Sequence, residues 1–280
     1  MRIVQISDTH VLADGVVTPG NAERVVTFVN DVLRPDLVVH TGDVVGLSPD
    51  DDGDRRAAAA VLGDLRAPLL VVPGNHDVGV AGDAPWAGFA VTGERISQHA
   101  RVFGEVPFLE TFGDWGLIGL DSERLESGLP EEERQWEWLE RTLAARPARS
   151  LLLFMHRPLW NHRPSRAPDA NSVPAPLRER LLALPGAERV RAVGNGHLHW
   201  YRRAQRPELL EVWGPASGFV GPTYEDVDSF SQCGLVEWRL DGERIDTWFR
   251  APATLDEREL LDVPELVERM DELQRRHAAA

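Results

Sequence analysis

Nine polar residues of this chain share one kind of position: each follows closely on a short apolar run. Asp8 and His10 follow Ile3 to Ile6. Asp43 follows Leu37-Val38-Val39-His40 and a Thr41-Gly42 pair. Asn75, His76 and Asp77 follow Leu69 to Val72 and a Pro73-Gly74 break. His156 follows Leu151 to Met155, and His197 and His199 follow Val190 to Val193 and Gly194-Asn195-Gly196. Carboxylate and carboxamide oxygens mixed with imidazole nitrogens suit divalent manganese, zinc and iron. The one cysteine, Cys233, lies outside every cluster, so no thiolate is on offer. Seven ligands are more than a single four-coordinate ion needs, whereas two ions sharing one carboxylate use that many. Ions paired ~3.5–4 Å apart clamp the attacking and leaving oxygens of a phosphoryl transfer. In His197-Leu198-His199, residues i and i+2 of an extended segment point the same way, so both rings can face one site. Gly74-Asn75-His76-Asp77 alone is equally an ordinary solvated turn; its repetition in kind at four other strand ends favours a site.

The elements must put those strand ends side by side. The chain opens strand–helix–strand–helix–strand, the pattern of a parallel sheet covered by helices. The strands are Ile3 to Ile6, Leu37 to His40 and Leu69 to Val72. Between them, Asn21 is expected to cap a helix carrying Val25, Phe28, Val29, Val32 and Leu33, which Pro35 stops. Asp54 is expected to cap a second helix through Val61, Leu62 and Leu65. Open α/β sheets bind ligands beyond the carboxyl ends of such strands. Residues 78–105, rich in glycine and including Pro85 and Trp86, read as an excursion across the strand ends with a helical stretch near Glu94 to Phe103. Val106 to Phe112 and Trp115 to Leu120 are the next strands. Pro130 opens a helix with Trp136, Leu139 and Leu143 on its buried face. Residues 157–172 form a second proline- and arginine-rich loop, in which Arg157, Trp160 and His162 are candidates to border a pocket. A short helix spans Pro174 to Leu184. Tyr201 to Phe249 alternates like antiparallel strands. A last helix, Val263 to His277, is expected to carry an Asp262/Glu265 capping box and an apolar face of Val263, Leu266, Val267, Met270 and Leu273. His40 reads as core or edge, His99 and His277 as solvated, and Cys233 as a small buried residue. The expected organisation is a domain over 1–250 and a helical extension over 251–280 packed on it, with a homodimer contact possible through that helix.

Composition bounds the function. With 280 residues, 42% hydrophobic and 27% charged, the chain is an ordinary globular protein. It has no lysine and a formal charge of −15. That disfavours a duplex nucleic acid held by electrostatics, but not a small phosphate ester, because bound cations reverse the local field. The lone cysteine rules out an intrachain disulfide and fits a reducing compartment. No 18-residue apolar stretch suggests a membrane span and no secretory leader is expected, so a cytoplasmic location is expected.

The ordered blocks Asp8-x-His10, Gly42-Asp43, Gly74-Asn75-His76-Asp77, His156 and Gly196-His197-x-His199 resemble the calcineurin-like metallophosphoesterase superfamily. Leu120-Asp121-Ser122 and Trp136-Glu137-Trp138-Leu139 look like its class III cyclic-nucleotide phosphodiesterases. The resemblance implies an α/β fold, a four-layer αββα sandwich of two mixed sheets flanked by helices. It implies two metal ions (Mn, Fe or Zn), one held by Asp8, His10 and His199, the other by Asn75, His156 and His197, with Asp43 bridging. It implies hydrolysis of a small phosphodiester by a metal-bridging hydroxide, with His76 binding the phosphate or protonating the leaving oxygen and Asp77 orienting an imidazole behind it. The alternatives within the fold are a phosphomonoesterase or a nucleotide or lipid-head-group pyrophosphatase; a non-catalytic metal-binding scaffold is the alternative outside catalysis. Two departures stand out. Gly46 occupies the position of the ligating tyrosine of purple acid phosphatases, so no tyrosinate colour is expected. Arg157 occupies the position where many cyclic-nucleotide enzymes carry a second histidine.

Overall fold

The computed structural model describes residues 1–81, 89–160, 171–207, 209–221 and 231–278, with side chains to residue 275. Among the described residues, eleven strands form two mixed sheets. The first is built on β1 (Arg2–Ile6), β2 (Leu37–His40) and β3 (Leu69–Val71), all parallel, with β10 (Leu235–Asp241) and β11 (Arg244–Arg250) added antiparallel at the β1 edge. The second runs β4 (Phe108–Phe112), β5 (Trp115–Gly119), β6 (Ser150–Phe154), β7 (Val190–Asn195), β9 (Leu210–Trp213) and β8 (Arg202–Gln205). Strands β5, β6, β7 and β9 are parallel, and β4 and β8 close the edges antiparallel. Tyr201 to Phe249 holds the expected antiparallel pairs, β8 with β9 and β10 with β11, with one departure. β9 joins β7 in parallel, a pairing that alternation along the strand does not encode.

Successive side chains of a strand face opposite ways, and these strands are apolar on both faces. Leu152 and Phe154 of β6, Leu37 and Val39 of β2, and Val236 and Trp238 of β10 meet between the sheets. Leu151 and Leu153, one residue out of phase, face the outer layer. There they meet Trp136, Leu139 and Leu143 of helix α5 (Pro130–Ala144) and Leu181 of α6 (Ala175–Ala183). The outer face of the first sheet is covered by α1 (Val17–Phe28) and α2 (Asp52–Gly63) through Val25, Ala22, Val26 and Leu62. Two mixed sheets flanked by helices are the expected four-layer architecture. Gln5 ties the layers across the dry interface. Its amide donates to Thr41 Oγ1 and to the Asn195 carbonyl, and its carbonyl accepts from Trp238 Nε1 at 3.1 Å. The C-terminal ends of β1, β2 and β7 are thereby locked together.

Several caps differ from expectation. Asn21 lies inside α1, where its side chain bonds the Gly218 and Asp256 carbonyls and the Asp256 amide. The helix starts earlier because Glu265 accepts from the Val16 and Val17 amides. Glu265 thus caps α1 rather than its own helix, α7 (Pro264–Ala278). Asp51, not Asp54, caps α2, accepting from the Asp54 amide. His99, in α4 (Gly93–Phe103), which follows the single turn α3 (Asn75–Val78), is buried rather than solvated; burial drives its pKa down to about 3, and neither ring nitrogen has a partner among the described residues. His40 is buried as expected, and Cys233 is a buried free thiol. Trp86, His162 and the His277 side chain lie outside the described residues.

Asp54 supplies a pH-dependent contribution. Its Oδ1 accepts from the Ala13 amide, while buried Oδ2 has no partner, and burial raises its pKa to about 6. A folded-state pKa above the unfolded value means that the folded protein retains a proton the unfolded chain has released. The stability this group contributes is present below about pH 4 and falls as pH rises through 6. Asp54→Asn is expected to raise thermal stability at pH 8 by on the order of 1 kcal/mol, and to give no gain at pH 4. Melting curves at the two pH values check it.

Candidate metal centre

All five strand-end clusters converge. Asp8, His10, Asp43, Asn75 and His156 are buried, while His76, His197 and His199 are half-buried. Reaching this geometry takes an unusual backbone. Among the described residues, eight other than glycine have positive φ, and five of them are Asp8, His10, Asp43, His197 and His199, at 51°, 44°, 53°, 71° and 60°. Asp and His tolerate the left-handed region better than most residues, but each such conformation persists only where its surroundings impose it. The strand ends pack so closely that a Cβ on Gly42 (φ 93°) would meet both the Gly74 amide and His156 Nδ1 at 2.6 Å.

Backbone carbonyls fix the rings. A carbonyl only accepts, so the ring nitrogen facing it must carry the proton. His10 Nδ1–H donates to the Gly46 carbonyl at 2.7 Å, His156 Nδ1–H to Thr41 at 2.8 Å, and His76 Nδ1–H to Leu47 at 3.0 Å. The Nε2 atom of each therefore faces inward. His10 Nε2 lies 3.2 Å from His199 Nε2, which is 3.4 Å from Asp8 Oδ1. His156 Nε2 lies 3.1 Å from Asn75 Oδ1, 3.2 Å from His197 Nδ1 and 3.2 Å from Asp43 Oδ2. Asp43 Oδ2 is also 3.8 Å from His10 Nε2, so one carboxylate stands between two groups of donors. Asp8, His10 and His199 form one group that could hold an ion; Asp43, His156 and His197 form another; a third combines His10 and Asp43 with His76.

The electrostatics ask for positive charge. Burial alone would keep Asp8 protonated, yet His199 and His156 bring its pKa down to about 2. Burial likewise opposes ionisation of Asp43, yet His156, His76 and His10 hold its carboxyl well below the usual range. Burial keeps His10 and His197 neutral, with pKa values of about 3. His156 is the exception: against burial, the charge of Asp43 and its hydrogen bond, with Asp8, raise it to about 10. Two ionised carboxylates, the neutral rings of His10 and His197, and His156, whose Nε2 proton a bound cation would displace, are the donor set of a cation site, and the residues fit a pair of divalent ions.

Around this set sit residues that no motif flagged. Thr9 and His40 brace the first two strand ends: His40 Nε2–H donates to Thr9 Oγ1, whose hydroxyl donates to the Val44 carbonyl. Phe219 packs its ring against both His10 and His199, with centroids 4.9 and 4.7 Å apart. Asp77 is behind the turn, as expected, but it holds amides rather than an imidazole. Its carboxylate accepts from the Gly74, Val44 and Val45 N–H groups at 2.8 to 3.2 Å. Asp77→Ala would leave those buried donors unpaired and is expected to cost on the order of 3 kcal/mol or more, read as a lower urea midpoint. Arg157 turns away from the centre: its amide donates to Ser122 Oγ, its Nε to Glu123 and its Nη2 to the Ser122 carbonyl. Trp160 is stacked against Arg178 and Arg206.

The model of the calcineurin-like phosphoesterases matches residues 1–201. That stretch carries every block converging on the site. The chain belongs to the calcineurin-like phosphoesterase family. It is 35% identical over 175 residues to the 3',5'-cyclic adenosine monophosphate phosphodiesterase CpdA of Escherichia coli K12. That match spans 57% of this chain and only 56% of the relative. It is 29% identical over 219 residues to a probable glycerophosphodiester phosphodiesterase GpdQ of Arcobacter nitrofigilis, covering 71% of this chain and 72% of that one. Among solved structures, the purple acid phosphatase PPD1 of yellow lupin shares the fold, with a TM-score of 0.65 at 17% identity over 94% of this chain and 55% of that one. Gly46, where the resemblance to purple acid phosphatases leads one to look for a tyrosine, is held for a different reason. There the backbone carbonyl orients His10, and a side chain has no room: a Cβ would lie 2.7 Å from Asp54 Oδ2.

Proposed function

We propose that this protein is a dinuclear-metal phosphodiesterase acting on a small, cyclic-nucleotide-like phosphodiester. The observation that carries the reading is the position of Asp43, whose carboxylate lies between the Asp8/His10/His199 donors and the Asn75/His156/His197 donors. Two cations bound there would polarise the phosphoryl oxygens and supply a nucleophilic oxygen at neutral pH. In this reading Asp8, His10 and His199 hold one ion, Asn75, His156 and His197 the other, and Asp43 joins them. Nδ1–H of His76 is committed to the Leu47 carbonyl, so Nε2 is the atom that would meet the leaving oxygen, delivering a proton there when the ring is doubly protonated. Asp77 keeps the Gly42–Val45 and Gly74–Val78 turns in register, and the carbonyls of Thr41 and Gly46 keep the imidazoles aimed.

The diester preference draws on the relatives, CpdA and GpdQ both being described as phosphodiesterases. The acidic chain and the absence, among the described residues, of a helix able to cross a membrane agree with a small substrate met away from polyanions and bilayers. The test is metal content together with turnover of bis(p-nitrophenyl) phosphate in the presence of manganese. Two equivalents of metal and diester turnover exceeding that of p-nitrophenyl phosphate are expected. A protein that takes up no metal and turns over neither substrate contradicts the reading.

A further inference from the structure

The segment carrying Phe219 lies beyond the family match, yet it is wound around the candidate centre. The Ser217 amide donates to the Ser7 carbonyl at 2.9 Å and the Gly218 amide to Asp8 at 3.0 Å. Asn21 holds the Gly218 carbonyl from the other side, and the Val220 amide donates to the Arg258 carbonyl at 2.8 Å. A Cβ on Gly221 would touch His199 Cβ at 2.6 Å. The Phe219 side chain is thus delivered, with no freedom of placement, onto the faces of His10 and His199. Behind it, Val263 and Leu266 at the start of α7 complete a buried cluster with Leu12, Val17 and Leu47. The helix is fastened at two further points. Glu265 caps α1, and Arg269 pairs with both Asp14 and Asp51.

We infer that Phe219, backed by α7, is a positioning residue for the Asp8/His10/His199 half of the centre, so that the C-terminal helix sets the metal affinity of that half selectively. This rests on the dinuclear reading above. The physical reason is rotational. His10 is tied to the backbone through Nδ1 while its Nε2 faces that of His199 at 3.2 Å, so freedom of either ring to tilt would spread the pair. Contact of the ring faces with Phe219 removes that freedom and keeps the two Nε2 atoms converged. His156, anchored to Thr41 and flanked by Asn75 and Asp43, has no contact with this cluster, so its half of the centre does not depend on it. Groups that orient a metal-binding histidine are worth about 10- to 100-fold in metal affinity.

The test counts manganese bound to the full chain, in competition with a chelator, for Phe219→Leu, Leu266→Ala and Leu143→Ala. Phe219→Leu keeps an apolar filler but removes the ring. One manganese site is expected to weaken about tenfold or more while the other stays within about twofold. Leu266→Ala, which withdraws the support from behind, should act in the same direction. Leu143→Ala, a truncation in the distant α5 layer, should lower the melting temperature and leave both sites unchanged. In a His199→Ala background, Phe219→Leu should have a smaller effect than in the wild type, because one of the two rings it positions is gone. Unchanged binding in Phe219→Leu, equal weakening of both sites, or the same weakening in Leu143→Ala overturns the inference while the dinuclear reading stands. A wild-type protein that binds no manganese overturns both.

Discussion

His76→Ala is expected to lower kcat on bis(p-nitrophenyl) phosphate by about 10²- to 10⁴-fold, the range for a positioned general acid, while both metal equivalents remain bound. His76 is half-buried, like His197 and His199, and its ring meets those of His10 and Phe89 at 5.1 and 5.6 Å between centroids. Its backbone amide donates to Asp43 Oδ1 at 2.8 Å, so the alanine variant retains the main-chain contact that holds the Asp43 carboxylate. What it loses is the Nε2 atom over the pocket. The loss should be smaller for substrates with better leaving groups, which need less protonation. Metal analysis of the variant is the decisive control. His76 shares a group with His10 and Asp43 close enough to hold an ion, and a variant that arrives empty would make it a ligand instead of an acid.

Asp43→Asn is expected to be the most damaging single change: loss of both ions, and a fall in kcat/KM of about 10³-fold or more, since several kcal/mol of charge stabilisation is withdrawn. The isosteric amide preserves the shape of the buried site. It removes the charge that sits 3.2 Å from His156 Nε2 and 3.8 Å from His10 Nε2. Stability should fall as well in the metal-free protein. There burial, with the nearby charge of Asp43, pushes the Asp77 carboxyl up to about 7, and that repulsion is relieved in the variant. The same charge, however, holds buried His156 protonated, and leaving that imidazolium without its partner costs more, so the stripped variant should melt lower than the stripped wild type. Added manganese should raise the melting temperature of the wild type alone, because only a folded state that binds the ion is stabilised by it. Loss of activity with full retention of both ions would show that Asp43 does not bridge them.

The candidate site was legible in the sequence because each cluster comes straight after an apolar run. Buried parallel strands are read from such runs, and their ends must gather at one edge of a sheet. What linear patterning could not supply is set by contacts between distant segments. The positive φ angles of Asp8, His10, Asp43, His197 and His199 are imposed by packing of the strand ends against each other. Glu265 leaves its own helix to cap α1, roughly the whole length of the domain away in sequence, because α7 docks beside the first turn of that helix. His99 was read as solvated because its neighbours in α4 are polar; it is buried because it points toward Phe103 and the protein interior. Phe219 carried no signal at all, being one aromatic residue in an irregular segment. Arg157 follows His156 directly and so looked like a pocket residue, but Ser122 and Glu123 draw it the other way. In each case the residue type was informative and the partner was not.

The central claim is that two ions, joined through Asp43, make one catalytic unit. Titrating metal-stripped protein with manganese while recording bis(p-nitrophenyl) phosphate hydrolysis tests it most directly. The account predicts that activity stays low through the first equivalent and rises with the second, reaching a plateau at two. A plateau at one equivalent, or turnover that ignores manganese altogether, would contradict it.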